Sequence, residues 1–119
     1  MKTDAAIPSI KVIAPECFED AALVDEILFG IEEEGVPFEL ERTGGGSASA
    51  LAYQGALDSE LGVGIGVDSG GFMAVHYNKL PPEKPLFTVR YTLDRDLART
   101  AASNAARLVK GIPFMEAPV

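Results

Sequence analysis

The sequence has one histidine, one cysteine and no tryptophan, and each scarcity removes a class of chemistry. Cys17 by itself cannot close an internal disulfide. It sits beside Glu16 and Glu19, whose charge opposes the thiolate that a nucleophilic cysteine needs. His76 alone excludes any metal site built from several imidazoles, and in the run Val75-His76-Tyr77 it reads as a hydrogen-bonded ring on a sheet face. No Ser/His/acid order and no metal-ligand spacing is present. Missing too is any apolar run near the ~18 residues that span a bilayer, or a basic stretch followed by an apolar one at the start. The expected location is the cytoplasm, with no membrane partner. Basic residues are few: 10 Lys and Arg stand against 18 Asp and Glu, a formal charge of −8. That balance opposes binding to a phosphate backbone, so nucleic acid is not an expected partner.

What is present describes one domain over residues 1–119. Its 47% hydrophobic content suits a chain of this size, which buries roughly two-thirds of its unfolded surface on folding. Charge is unevenly placed. From Val12 to Glu41 there are ten acidic residues and no Lys or Arg, whereas Lys84, Arg90, Arg95, Arg99, Arg107 and Lys110 gather late, opposed by Asp94 and Asp96. Such asymmetry reads as solvated faces or as one side of a heterologous interface.

Strand and helix signals alternate along the chain. Ile10 to Pro15 is a short apolar run ending at a proline, which predicts a buried first strand. Asp20 predicts an N-cap, Val24, Ile27, Leu28 and Ile31 form one apolar stripe, and Gly35 supplies the stop. Val36 to Arg42 reads as a second strand. Ser47, after three glycines, can cap a second helix to about Leu57, with Leu51 and Ala52 inward. Leu61–Val67 and Phe72–Tyr77 flank Asp68-Ser69-Gly70-Gly71 and predict an antiparallel hairpin. Leu80 to Pro85 reads as a polyproline-like connection into a fifth strand, Leu86 to Tyr91. A last helix from near Asp94 places Leu97, Ala101, Ala105, Leu108 and Ile112 inward. The order implies a three-layer α/β/α domain around a mixed sheet.

Three features bear on chemistry. Gly62, Gly64 and Gly66 precede a hairpin rather than a helix, so they are not a dinucleotide fingerprint; a bare strand on which another element, such as the last helix, packs closely is the simpler reading. Gly44-Gly45-Gly46-Ser47 ahead of a helix could cradle an anion but lacks the lysine of a triphosphate loop, and a flexible loop is favoured. Glu32-Glu33-Glu34 breaks a local rule, because three like charges occupy the helix end whose dipole disfavours anions. Either this is a solvated face, the reading favoured for Glu32 and Glu34, or a carboxylate is presented there to a cation or arginine of another chain.

Several segments together carry a resemblance. Gly30-Ile31-Glu32-Glu33-Glu34-Gly35-Val36-Pro37-Phe38, Val63-Gly64-Ile65-Gly66-Val67-Asp68, Val75-His76-Tyr77-Asn78-Lys79-Leu80-Pro81, Pro85-Leu86-Phe87-Thr88 and Asn104-Ala105-Ala106-Arg107-Leu108-Val109-Lys110-Gly111-Ile112-Pro113-Phe114 resemble the small subunit of glycerol or diol dehydratase reactivases. The first and a similar Asn-Ala-Ala-Arg helix also occur in the medium subunit of adenosylcobalamin-dependent dehydratases, which keeps a non-catalytic medium-type subunit as the alternative. A third possibility is a free-standing small-molecule-binding domain. The Asp68-Ser69-Gly70-Gly71 turn departs from the Cys-Asp-Arg-like residues of the family and leaves the client dehydratase open.

The resemblance implies a five-stranded mixed sheet in the fold of the B12-dependent dehydratase-associated subunits. It implies a non-catalytic chain in a chaperone-like complex of two large and two small subunits. The large subunit hydrolyses ATP and holds Mg²⁺ with ATP or ADP, and this chain alone binds no cofactor. The complex releases damaged cobalamin from inactivated glycerol or diol dehydratase by subunit exchange, with residence in a bacterial microcompartment left open. By the same resemblance Glu33 donates a carboxylate in trans to the divalent cation, and Glu32, Glu33, Glu34, Gly35, Val36 and Pro37 meet the partner.

Overall fold

The structure, a computed structural model, describes residues 7–115. Each helix begins where the chain supplies its own cap. Strand β1 (Ile10–Pro15) leads to helix α1 (Ala21–Glu33), whose N-cap Asp20 accepts from the Leu23 amide at 3.1 Å. Strand β2 (Phe38–Thr43) is followed by α2 (Ala48–Asp58), capped by Ser47, which accepts from the Ala50 amide. Strands β3 (Val63–Val67), β4 (Phe72–Tyr77) and β5 (Phe87–Arg90) come before α3 (Arg95–Lys110), which starts at Asp94 and stops at Gly111 in the left-handed region.

The strands form one mixed sheet in the order β2-β1-β3-β4-β5. β1 runs parallel to both β2 and β3, and β4 is antiparallel to β3 and to β5. The pleat sorts the side chains. On one face Val12, Ile65 and Val75 stand side by side in register, buried with Leu23, Ile27 and Ile31 of α1 and the alanines of α3. On the other face lie Gly64, Gly66, Ala74 and His76, and there α2 sits alone with Ala48, Ala52 and Ala56 buried. The three layers expected from the element order are present.

Details differ from the sequence reading for identifiable reasons. β2 opens at Phe38, because Pro37 has no amide to donate while its carbonyl accepts from the Ile10 amide. β3 opens at Val63, since Gly62 turns with φ of 78°. The glycine face of β3 receives α2, not the last helix. In α3 the buried apolar set is Ala98, Ala101, Ala102, Ala105 and Ala106, with Ser103 and Asn104 buried beside them, while Leu97 and Leu108 are half-buried and Ile112 lies beyond the cap. The stripe is displaced because α3 packs on α1 as well as on the sheet: a Cβ at Gly30 would lie 2.6 Å from the Arg99 carbonyl. The proline-rich connection is two successive turns, closed by Leu80 on Tyr77 and by Lys84 on Pro81, and not an extended stretch.

Candidate functional site

The acid-rich and base-rich halves of the chain meet within the molecule. Arg95 donates to Asp20 at 2.7 Å, Arg99 to both Glu26 and Glu33, and Arg107 and Lys110 both to Glu34, each at 3.0 Å. Start pairs with start and end with end, so α1 and α3 lie parallel with the same dipole direction. Cations that α1 lacks in its own last turn are supplied to its C-terminal end by the last turn of α3, where they oppose the negative dipole. This disposes of the local conflict at Glu32-Glu33-Glu34. Arg99, Arg107 and Lys110 are the site residues that the sequence reading did not assign, although the late clustering of basic residues was their signal.

The three acids are thereby left in different states. Glu34 is withdrawn: its side chain is 13% exposed, and Lys110 and then Arg107 hold its carboxyl below the ordinary carboxylate range. It is not the solvated group expected from sequence. Glu33 remains 55% exposed, with one oxygen on Arg99. Glu32 is exposed. Beyond the helix Gly35 turns the chain with φ of 75°, Val36 is buried in the core and Pro37 is exposed. Thus Glu32, Glu33, Gly35 and Pro37 of this corner are exposed, while Glu34 and Val36 are turned inward.

Among the described residues no group of three or more His, Cys, Asp and Glu could hold a divalent cation. Glu33 fits a more limited part. Its second oxygen is free of Arg99, and Mg²⁺ bound beside a nucleotide takes only one or two carboxylates.

The remaining candidates are tied into the fold. The α2 N-terminus behind Gly44-Gly45-Gly46-Ser47 already has an anion: the Ala48 amide donates to the Asp68 carboxylate at 2.9 Å, and the other Asp68 oxygen accepts from the Gly70 and Phe72 amides. The chain's own carboxylate fills the cradle. His76 is fully buried. Its Nε2 lies 3.1 Å from the Pro82 carbonyl and its Nδ1 lies against the Tyr77 backbone, which makes the ring a latch on the proline loop. The Tyr53 ring packs against it at a tilt of 56°, with centroids 5.0 Å apart. Cys17 is exposed in the β1–α1 connection.

Residues 7–115 match the family model described as the dehydratase medium subunit. The chain is 42% identical to the propanediol dehydratase-reactivating factor small subunit of Salmonella typhimurium, over 98% of this chain and 97% of that one. A solved glycerol dehydratase reactivase chain superposes with a TM-score of 0.87 at 36% identity, covering 92% of this chain and 98% of that one. A chain from the structure of diol dehydratase-reactivating factor complexed with ADP and Mg²⁺ superposes with a TM-score of 0.84 at 41% identity, covering 93% of this chain and the whole of the other.

Proposed function

The chain belongs to the dehydratase medium subunit family, and on that premise we propose that it is the small, non-catalytic subunit of an ATP-dependent reactivase for a cobalamin-dependent dehydratase. The observation that carries this reading is end-to-end similarity to a reactivating-factor small subunit, 98% of one chain against 97% of the other. In this reading a large partner subunit hydrolyses ATP and holds Mg²⁺ with the nucleotide. Two large and two small chains form the complex. It removes damaged cobalamin from the inactivated enzyme by exchanging this chain for the dehydratase's medium subunit. Identity of 42% and 41% to the propanediol and diol reactivating factors, against 36% to the glycerol one, favours a diol dehydratase as the client.

Glu33 is the residue that meets the partner's cation. It alone among the three acids is held by one arginine with an oxygen left over. The test is reconstitution. The large subunit together with this chain should restore an inactivated diol dehydratase given ATP, Mg²⁺ and fresh coenzyme, and the large subunit alone should not. Glu33→Gln should fold as the parent does, yet bind the large subunit with affinity that no longer rises with Mg²⁺. Equal reactivation with and without this chain would overturn the function, and undiminished Mg²⁺ dependence in Glu33→Gln would overturn the site.

A further inference from the structure

The guanidinium of Arg99 is shared among three groups of α1. Nη1 donates to Glu26 at 3.2 Å, Nη2 donates to Glu33, and the carbon between them stands 5.8 Å from the centre of the Phe29 ring. Two donors on separate arms allow one carboxylate to be dropped while the other is kept, which a point charge such as lysine does less well. The aromatic face continues to hold the cation in either state. The Arg99 and Glu33 side chains are 36% and 55% exposed, and a pair so wet shifts an equilibrium by no more than about fivefold. Glu34 offers no such option. Two cations converge on its carboxylate, and the side chain is only 13% exposed.

We infer that Arg99 is a displaceable internal counter-ion for Glu33, occupying its carboxylate in the free chain and ceding it, while keeping Glu26 and the Phe29 ring, when Glu33 reaches a divalent cation held by the partner. This rests on the preceding assignment of Glu33 to that cation. Its consequence is kinetic. An internal group that recaptures the carboxylate competes with the metal at every opening of the interface, so it weakens the contact and hastens the release that subunit exchange requires. Arg99 is therefore a positioning residue that sets how readily the corner lets go.

The experiment follows release of fluorescently labelled full-length chain from its complex with the large subunit, across a MgCl₂ titration with EDTA as the zero. Arg99→Gln should slow release by about two- to fivefold and lower the Mg²⁺ midpoint by a similar factor. Glu26→Gln, which concentrates the guanidinium on Glu33, should move both in the opposite direction. Arg95→Gln removes the same charge at the far end of the helix pair, where it bonds Asp20, and should leave both unchanged near 0.15 M salt, because screening there is effective beyond ~8 Å. Faster or unaltered release by Arg99→Gln, or a shift of both variants in the same direction, would overturn the inference. Should Glu33→Gln retain its full Mg²⁺ dependence, the assignment beneath it fails as well; loss of that dependence with an unaltered Arg99→Gln overturns the inference alone.

Discussion

Gly64 and Gly66 set the distance at which α2 can lie on the sheet. A Cβ at Gly64 would stand 2.2 Å from the Ala56 amide nitrogen and 2.3 Å from the Ala52 carbonyl, and one at Gly66 would stand 2.3 Å from the Ala48 carbonyl. All of these are backbone atoms, so no rotamer change relieves the overlap, and the helix as a whole would have to lift. Gly64→Ala should therefore lower stability by about 1–3 kcal/mol or more, as overpacking in a close-packed core does. Gly44→Ala, with nothing within 4 Å of the added methyl, should change it by no more than ~0.5 kcal/mol. Urea unfolding of the two variants beside the parent decides it, and a Gly64→Ala midpoint equal to that of the parent would show that α2 is not held this closely.

At the scale of elements, the pairing of α1 with α3 joins parallel helices whose like dipole ends lie together. Small residues bring the axes close at Gly30, where Ser103 also donates to the Gly30 carbonyl at 3.1 Å, and the ion pairs along the seam offset the dipoles. Glu34 is the least exposed acid of the seam. Because Lys110 and Arg107 depress its carboxyl below the ordinary value of 4.5, its contribution is complete above that value and is lost as pH falls through the lower, folded one. Asp20, depressed by Arg95, acts in the same sense. Glu34→Gln should thus destabilise the chain at pH 7, and the gap to the parent should shrink steadily below about pH 4.5. Denaturation midpoints from pH 7 down to pH 3 measure the gap; a gap independent of pH would mean that Glu34 acts through packing instead of charge.

Over the whole molecule the internal pairs use the cations of α3 without cancelling the net charge of −8. An acidic exterior of this kind favours a basic surface and makes any contact formed through it sensitive to salt. The corner it presents is small, polar and rigid: a helix end, a left-handed glycine and an exposed proline, with Glu34 and Val36 anchoring it from within. Such a surface suits a partner that must be released. If exchange is the work of the chain, a reactivase in which a disulfide introduced across the contact ties this chain to the large subunit should fail to restore inactivated dehydratase, and should recover when the disulfide is reduced. Full reactivation by the oxidised complex would rule exchange out.

The sequence by itself determined what depends on neighbours along the chain. The caps at Asp20 and Ser47, the start of the last helix near Asp94, the stop at Gly35, the hairpin at Asp68-Ser69-Gly70-Gly71 and the order of elements follow from short-range hydrogen bonding and side-chain periodicity, and all are found in the structure. Glu33 entered through the family segment around it and not through these short-range signals, and its role is the proposal made above. What only the tertiary structure decided are the pairings between distant segments. That α2 rather than α3 covers the glycine strand, that Asp68 fills the α2 N-terminus, that His76 latches the proline loop and that Glu34 is drawn in against Arg107 and Lys110 all depend on which faces meet. Composition showed an acidic half and a basic half but could not say whether they faced water, a partner or each other. Packing settled it, because the alanines of α3 and Gly30 of α1 let the two helices approach closely enough for their opposite charges to pair within one chain.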